Sequence, residues 1–409
     1  MRQLRKISWL QSYSQERANN MKSIKLSELL KKYTMVIALV LVVIFFSVTT
    51  QGKILYAQNI NNLISQNAYV FVLAAGMLLC ILTGGNIDLA CGSVVCFTGG
   101  IGAVMMQAGC NWIIAALVML LIGALVGAWQ GFWIAYIKVP PFITTLAGMY
   151  AFRGLSNAVL EGYAVGISDT AFLNVFGGGA DCYVPDFLGG GSLNMLCLIV
   201  GIVIAVVIAV LTFTSRAKAQ KNGYTVAPAG GVIVKTVIIC AVIIWLFYKL
   251  ANYKGIPSAL IWIAIVLLVY NYITTSTTMG RYLYAVGSNE KATTLSGIDS
   301  RVPYFFAYVN MGLMSGLGGI LTSARATQAQ PTFGQGYEMD AIAACFIGGA
   351  SAYGGEGSVF GVIIGAVLMG VINQGMSICG VDANLQKVVK GLVLLGAVIF
   401  DVVSKKEKK

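Results

Sequence analysis

The stretch MGRYLYAVGSNEKATTLSGIDSR (residues 279–301) is the one long polar interruption in the C-terminal half of a very apolar chain. Within it, residues 289–295 contain neither Gly nor Pro, so we expect a short amphipathic helix with Ala292 and Leu295 on one face. Glycines mark the tight turns that short helical pieces need: Gly280, Gly287 and Gly297. Two interpretations stay open at this point, a solvated loop between two helices and a docking surface for a soluble partner.

Composition places the chain in a membrane. Its 409 residues are 58% hydrophobic and only 10% charged, which is too little charge to cover the surface of a water-soluble protein. The net charge of +12 is concentrated at the two termini and in short connections, the pattern of positively charged cytoplasmic segments. Both ends are therefore expected in the cytoplasm. The basic residues form no groove interleaved with exposed aromatics, so the pattern argues against nucleic-acid binding.

Spans of about 20 apolar residues predict an all-α polytopic protein of about 10–12 transmembrane helices, some of them broken. We count twelve apolar runs: 34–50, 63–83, 88–108, 112–137, 142–159, 193–214, 231–250, 258–275, 304–325, 340–353, 358–378 and 384–402. Runs 142–159 and 340–353 are short or flanked by Pro and Gly, which also fits half-helices or re-entrant segments.

These runs divide the chain into a cytoplasmic basic leader (1–33), a transmembrane domain (34–403) and a cytoplasmic basic tail (404–409). Met21 offers a second plausible start within the leader. Inside the domain we expect an extracytoplasmic segment (161–192), an extra helix pair (193–250) and a cytoplasmic loop (276–303).

Glycine suggests how the helices pack. Gly123, Gly127 and Gly131 form a ridge of small residues, as do Gly312, Gly316 and Gly319, and such ridges let helix backbones approach closely in lipid. In addition, the sequence around Gly84-Gly85 resembles that around Gly348-Gly349, each leading to Gly-Ser-Val before a further apolar run. Paired breaks of this kind fit an internal repeat around a central pathway, although chance similarity is a serious alternative.

Two breaks carry the polar residues that could meet a solute. Asp88 is wrapped in apolar sequence, where a carboxylate at the bilayer centre costs about 3 kcal/mol, so it either caps a new helix or faces a pathway. At 139–146 two prolines interrupt the chain, and the threonines that follow can bond freed carbonyls or present hydroxyls. Arg153 is expected to reach outward toward Glu161. The pathway candidates are Asn86, Asp88, Ser93, Pro140, Pro141, Phe142, Thr144, Thr145, Gly348, Gly349 and Ser358.

Catalytic signatures are missing from the sequence. The chain has no histidine, which removes His-based acid–base catalysis and His metal ligation, and its nine cysteines form no CxxC pair. No phosphate-binding Gly-x4-Gly-Lys-Ser/Thr occurs, so the chain is not itself a P-loop ATPase. We predict no enzyme activity, no metal and no cofactor. A transporter without its own ATPase is most simply one subunit of a larger complex.

Four segments resemble one family in sequence and order: GGNIDLACGSVVCFTGG (84–100), VPPFITTLAGMYAFRGL (139–155), GRYLYAVGSNEKATTLSGID (280–299) and AIAACFIGGASAYGGEGSVFGVIIGAVLMGVINQGM (341–376). They are similar to the permease subunits of bacterial monosaccharide ABC importers, of the ribose, xylose and galactose type. Length and the extra pair resemble the xylose-type and multiple-monosaccharide permeases. Asn86 is inserted relative to the usual motif, and Ala90-Cys91 replaces Ser-Val, so a direct hydrogen bond from sugar there is in doubt.

The resemblance implies a bacterial inner-membrane protein that works by alternating access. It implies a second permease copy, a cytoplasmic ABC ATPase subunit and an extracytoplasmic sugar-binding protein as partners, with a small sugar as cargo. The ATPase would dock on the loop through Gly280, Arg281, Tyr284, Gly287, Asn289, Glu290, Ala292, Leu295, Gly297 and Ile298.

Two alternatives stay open. The same machinery could import nucleosides, an autoinducer or branched-chain amino acids. A protein of another class, a stand-alone secondary transporter or channel, would move solute without an ATPase.

Overall fold

The computed structural model describes residues 34–189, 191, 193–223 and 229–406. The predicted leader (1–33), with Met21, lies outside the described residues. The predicted tail (404–409) begins inside the last helix. The helices are α1 (Thr34–Thr49), α2 (Ala57–Gln66), α3 (Ala68–Leu82), α4 (Cys91–Gln107), α5 (Trp112–Ala135), α6 (Pro141–Val159), α7 (Thr170–Phe176), α8 (Met195–Lys221), α9 (Ala229–Ala251), α10 (Ser258–Ser276), α11 (Thr278–Ser288), α12 (Glu290–Leu295), α13 (Arg301–Ala326), α14 (Tyr337–Ile347), α15 (Val359–Ile378) and α16 (Ala383–Lys406).

This architecture confirms an all-α polytopic membrane protein. Among the described residues, six helices are long and apolar enough to cross a membrane, or seven if the bent pair α2 and α3 forms one span. Each of the five other apolar runs also contains a helix, namely α1, α4, α6, α14 and α16, but these are shorter or more polar. The total of twelve crossings therefore stays a prediction.

The core is built on α3, in which every residue is buried. Against this core, α13 and α5 come into close contact through the two glycine ridges. A Cβ added at Gly123 would meet the Gly312 carbonyl and the Gly316 backbone, and a Cβ added at Gly127 would meet the backbone of Tyr308 and Gly312. The predicted packing role of these glycines is thus confirmed.

The two uncertain runs have different outcomes. Run 142–159 forms the continuous helix α6 of 19 residues, about 28 Å long at 1.5 Å per residue. Run 340–353 yields only the 11 residues of α14, about 16 Å, or roughly half of the hydrocarbon core. α14 therefore has the length of a half-helix and α6 does not, and whether either run crosses the membrane stays a prediction. The run 63–83 is also interrupted, because α2 and α3 meet at Asn67 with a bend of 43°.

Contacts between connections define the two ends of the bundle. At one end, which we call the sheet end, β1 (Val165–Gly166) pairs antiparallel with β2 (Gln328–Ala329). At the other, the α12 end, lie α11, α12 and the connections that leave α3 and α14. The extra pair α8 and α9 is mostly exposed along its apolar sides, as expected for helices that face lipid.

Candidate coupling site and pathway

The polar stretch 279–301 is helical over most of its length. α11 begins at Thr277, whose hydroxyl accepts a hydrogen bond from Gly280 N (3.0 Å). α12 begins after Asn289, whose side chain accepts from Ala292 N (3.0 Å), an N-cap that a six-residue helix needs. The Thr293 hydroxyl donates to the Ala285 carbonyl (2.9 Å) and so holds α12 against α11. The short helix predicted over 289–295 is therefore present, and a plain loop is not.

One face of α12 is open to the outside. Ala292 and Leu295 are both exposed, and Leu295 is 90% exposed, while Thr293 on the opposite face is buried. A leucine this exposed at the tip of a short helix contributes nothing to the packing of its own chain. This side chain is therefore available for contact with a partner.

α11 rests directly on the two glycine-rich breaks. Gly287 lies so close to the Leu82 carbonyl and to Gly355 N that a Cβ would overlap both. Tyr284 donates its hydroxyl to the Gly357 carbonyl (2.8 Å), and Gly355 N donates to the Leu82 carbonyl (3.1 Å). α11 is therefore in direct contact with the end of α3 and with the connection between α14 and α15.

The two breaks also touch each other. A Cβ at Gly85 would overlap the Ala352 carbonyl, and a Cβ at Gly354 would overlap Gly84. Both glycines have positive φ, +76° and +82°, a conformation that glycine adopts freely. The structure therefore brings together the two similar segments that the sequence analysis paired.

An ionic contact links α12 to its neighbours. Lys138, in the connection between α5 and α6, lies 3.3 Å from Glu290, and the Tyr304 hydroxyl donates to Glu290 Oε2 (3.3 Å). Burial acts to raise the pKa of Glu290, but hydrogen bonds from Ser300, Lys138 and Tyr304 outweigh it and lower the pKa below its ordinary value. The Tyr304 hydroxyl also lies beside Asn86. Tyr304 therefore contacts both Glu290 of α12 and Asn86, one of the pathway candidates.

Asp88 lies in the turn that precedes α4. Its backbone N–H lies 3.4 Å from Met77 Sδ, five residues before α3 ends, so the chain turns back into the bundle after the break. The buried carboxylate accepts from Ala90 N (2.8 Å) just ahead of α4. The carboxylate is therefore used in a local turn, and whether it also faces a pathway stays a prediction. One turn on, the Ser93 hydroxyl is buried and has no partner among the described residues.

Most of the other pathway candidates are used locally. The hydroxyls of Thr144 and Thr145 donate to the Pro140 and Pro141 carbonyls, at 3.4 and 2.9 Å. Pro141 starts α6 at a position that suits proline, and Phe142 is 56% exposed. Ser358 caps α15 through Gly361 N (3.1 Å), Gly348 packs on Gly361, and Gly349 lies beside Met35. Whether any of them contacts a solute stays a prediction.

Sequence reasoning was wrong about Arg153 and missed three charged residues. Arg153 Nη1 donates to the carbonyls of Phe333 (2.6 Å) and Pro331 (3.2 Å), and so holds the segment before α14 rather than reaching outward to Glu161. Asp340 is fully buried, 2.9 Å from Lys390, and accepts from the Tyr69 hydroxyl (2.6 Å). Glu338 lines an apolar cavity of about 430 Å³ between α6, α14 and α16. The signal was the pair of acids in YEMDAIAACFIGG, at the start of an apolar run.

Comparison with known proteins agrees with this architecture. Residues 59–398 match the family model described as branched-chain amino acid transport system / permease component. The chain is 34% identical to the xylose transport system permease protein XylH of Escherichia coli K12, over 92% of this chain and 93% of that protein. It is 35% identical to XylH of Haemophilus influenzae Rd (92% and 98%) and 30% identical to the ribose import permease protein RbsC of Escherichia coli K12 (91% and 94%). No solved structure matches.

Proposed function

Because this chain belongs to the branched-chain amino acid transport system permease family, we propose that it is the membrane permease of an ATP-driven importer and that its cargo is a monosaccharide. The relatives named above are xylose and ribose permeases and align over nearly their whole length, which favours sugar over amino acids or nucleosides as cargo. A stand-alone channel or secondary transporter is not favoured.

The α12 end is the cytoplasmic end in this proposal, with both termini in the cytoplasm and the sheet end facing outward. A separate ATPase subunit docks on α12, a sugar-binding protein delivers the cargo at the sheet end, and a second copy of the permease completes the pathway. The protein lies in the inner membrane of a bacterium.

One observation carries the proposal: the exposed face of α12 is separated from both glycine-rich breaks only by α11. When ATP brings the two ATPase subunits together, α12 moves with them. Since α11 touches the Leu82 carbonyl and Gly355 N, the movement reaches α3 at its end, and α14 and α15 through the connection between them. These helices then open the bundle alternately to the two sides.

The test is to place a charge on the docking face. We expect Ala292→Asp, and separately Gly297→Pro, to abolish sugar uptake by membrane vesicles while the protein stays in the membrane at its normal level. Ala217→Asp is the matched control, because Ala217 is also exposed but lies near the end of α8, in the extra pair. Normal uptake and normal ATPase stimulation in the Ala292→Asp vesicles would contradict docking on α12.

A further inference from the structure

A small cavity with a largely apolar lining and several polar side chains opens at the sheet end of the bundle, well away from α12. Its volume is about 140 Å³, and it lies between the end of α2, the start of α3, the end of α13 and the start of α14. Its polar and aromatic lining consists of Ser65, Gln66, Tyr69, Thr322, Arg325 and Tyr337. Gln66 is exposed and marks the outer rim of the cavity.

The guanidinium of Arg325, which lines this cavity, has few hydrogen-bond acceptors. Its Nε is buried without a partner among the described residues, and its Nη2 makes only a long contact of 3.5 Å to Asn62 Oδ1. No carboxylate of the described residues pairs with it. A buried N–H without an acceptor is destabilising, so a guanidinium held this way favours a ligand that brings oxygen atoms.

α2 contributes Ser65 and Gln66 to the lining, and Asn61 lies beside Ser65. Although α2 forms a bent pair with the wholly apolar α3, its sequence AQNINNLISQ is rich in amides. The Ser65 hydroxyl reaches only a 3.5 Å contact with Asn61, and the buried Asn61 Nδ2 has no partner among the described residues. Polar side chains inside a membrane bundle usually face a route for solute.

Two stacked tyrosines, Tyr69 and Tyr337, form the aromatic part of the lining. The rings of Tyr69 and Tyr337 stack with centroids 3.6 Å apart and an angle of 13° between their planes. The Tyr69 hydroxyl is fixed by Asp340, and Asp340 is fixed by Lys390 on α16. The cavity thus combines apolar ring surface with a few hydrogen-bonding groups, the usual composition of a small-molecule site.

We propose that this α2–α13 cavity is a binding site for a neutral monosaccharide entering the permease from the sheet end. Arg325, Gln66 and Thr322 supply hydrogen bonds to the hydroxyls of the sugar, and the stacked tyrosines pack against its C–H surface. The inference rests on the proposed function, which makes the cargo a sugar and the sheet end the outer side.

The test is protection of a cysteine placed in the cavity. Thr322→Cys is assembled with its ATPase and binding protein in vesicles and alkylated with a maleimide, with and without D-xylose or D-ribose, and each cysteine-containing peptide is quantified by mass spectrometry. At a sugar concentration about ten times the dissociation constant, we expect alkylation at position 322 to slow about tenfold. The native exposed Cys379 is the internal control, and its alkylation should not change.

The outcomes separate this inference from the proposed function. Equal alkylation with and without sugar, or protection only by an acidic sugar such as D-glucuronate, overturns the cavity assignment even if the unmodified assembly imports sugar. If the unmodified assembly imports no sugar, the proposed function itself fails. If Thr322→Cys does not fold, Gln66→Cys at the exposed rim gives the same measurement.

Discussion

Two lysine–carboxylate pairs hold two short helices in place, and they do so in opposite environments. Lys390 and Asp340 join α16 to the half-helix α14 at 2.9 Å, with side chains 19% and 0% exposed. Lys138 and Glu290 join the α5–α6 connection to α12 at 3.3 Å, with side chains 52% and 42% exposed. The same pair of residue types therefore holds one helix inside the bundle and one helix at its surface, at the α12 end.

The difference in burial decides what each pair does. Two exposed charges gain at most about 1 kcal/mol from each other, because water and salt screen them. Removing one member of a buried pair costs about 3–5 kcal/mol, because the remaining charge has neither water nor a counter-charge. We infer that α14 is fixed in the bundle while α12 is only weakly held, which suits a segment that must shift during transport.

Removing Lys390 should give the largest effect. In Lys390→Met the Asp340 carboxylate stays fully buried with only the Tyr69 hydroxyl as a partner, so we expect the free energy of unfolding to fall by about 3–5 kcal/mol. Denaturant titration of the purified protein in mixed micelles measures the loss. Lys390→Met combined with Asp340→Asn removes both charges and should recover most of it. If Lys390→Met alone were as stable as the wild type, the buried pair would not contribute to the stability of the fold.

Removing the charge of Asp340 alone should have a smaller effect. Asn can still accept from the Tyr69 hydroxyl, and Lys390 keeps 19% of its side chain exposed, so its ammonium group can turn toward water. We therefore expect Asp340→Asn to lose about 1–3 kcal/mol of the free energy of unfolding. Denaturant titration of Asp340→Asn and Lys390→Met shows which of the two loses more of the free energy of unfolding. Equal losses from Asp340→Asn and Lys390→Met would show that burial of the lone charge is not what makes the pair matter.

The sequence predicts local structural features better than it predicts contacts between residues that are far apart in the chain. The α12 helix, the glycine ridges and the two breaks follow from periodicity and from glycine, which act over a few residues. The bend at Asn67 was missed because the run 63–83 was counted as one span across the polar residues Ser65, Gln66 and Asn67.

The buried pair was missed for a different reason. Asp340 and Lys390 lie 50 residues apart in two separate apolar runs, and only the folded bundle shows that they face each other. The same holds for Arg153, whose acceptors belong to a segment 178 to 180 residues away. Hydropathy places such residues in a helix but does not say which neighbour they meet.

Changing the exposed pair, Lys138 and Glu290, should have the smallest effect on the free energy of unfolding. We expect Glu290→Gln to change the free energy of unfolding by no more than about 1 kcal/mol, and the difference should disappear in about 1 M salt. Because the fold lowers the pKa of Glu290, the contribution is present above the ordinary glutamate range and is lost as the pH falls through the lowered pKa. Wild type should therefore converge on Glu290→Gln in acid.

A double-mutant cycle with Lys138→Met isolates the contribution of the pair from that of the Tyr304 hydrogen bond to the same carboxylate. If this coupling energy equalled the loss seen in Asp340→Asn, α12 would be held as rigidly as α14. Movement of α12 would then have to break a contact as strong as one in the core, and transmission through α11 would no longer be the easiest route from the docking face to the two breaks.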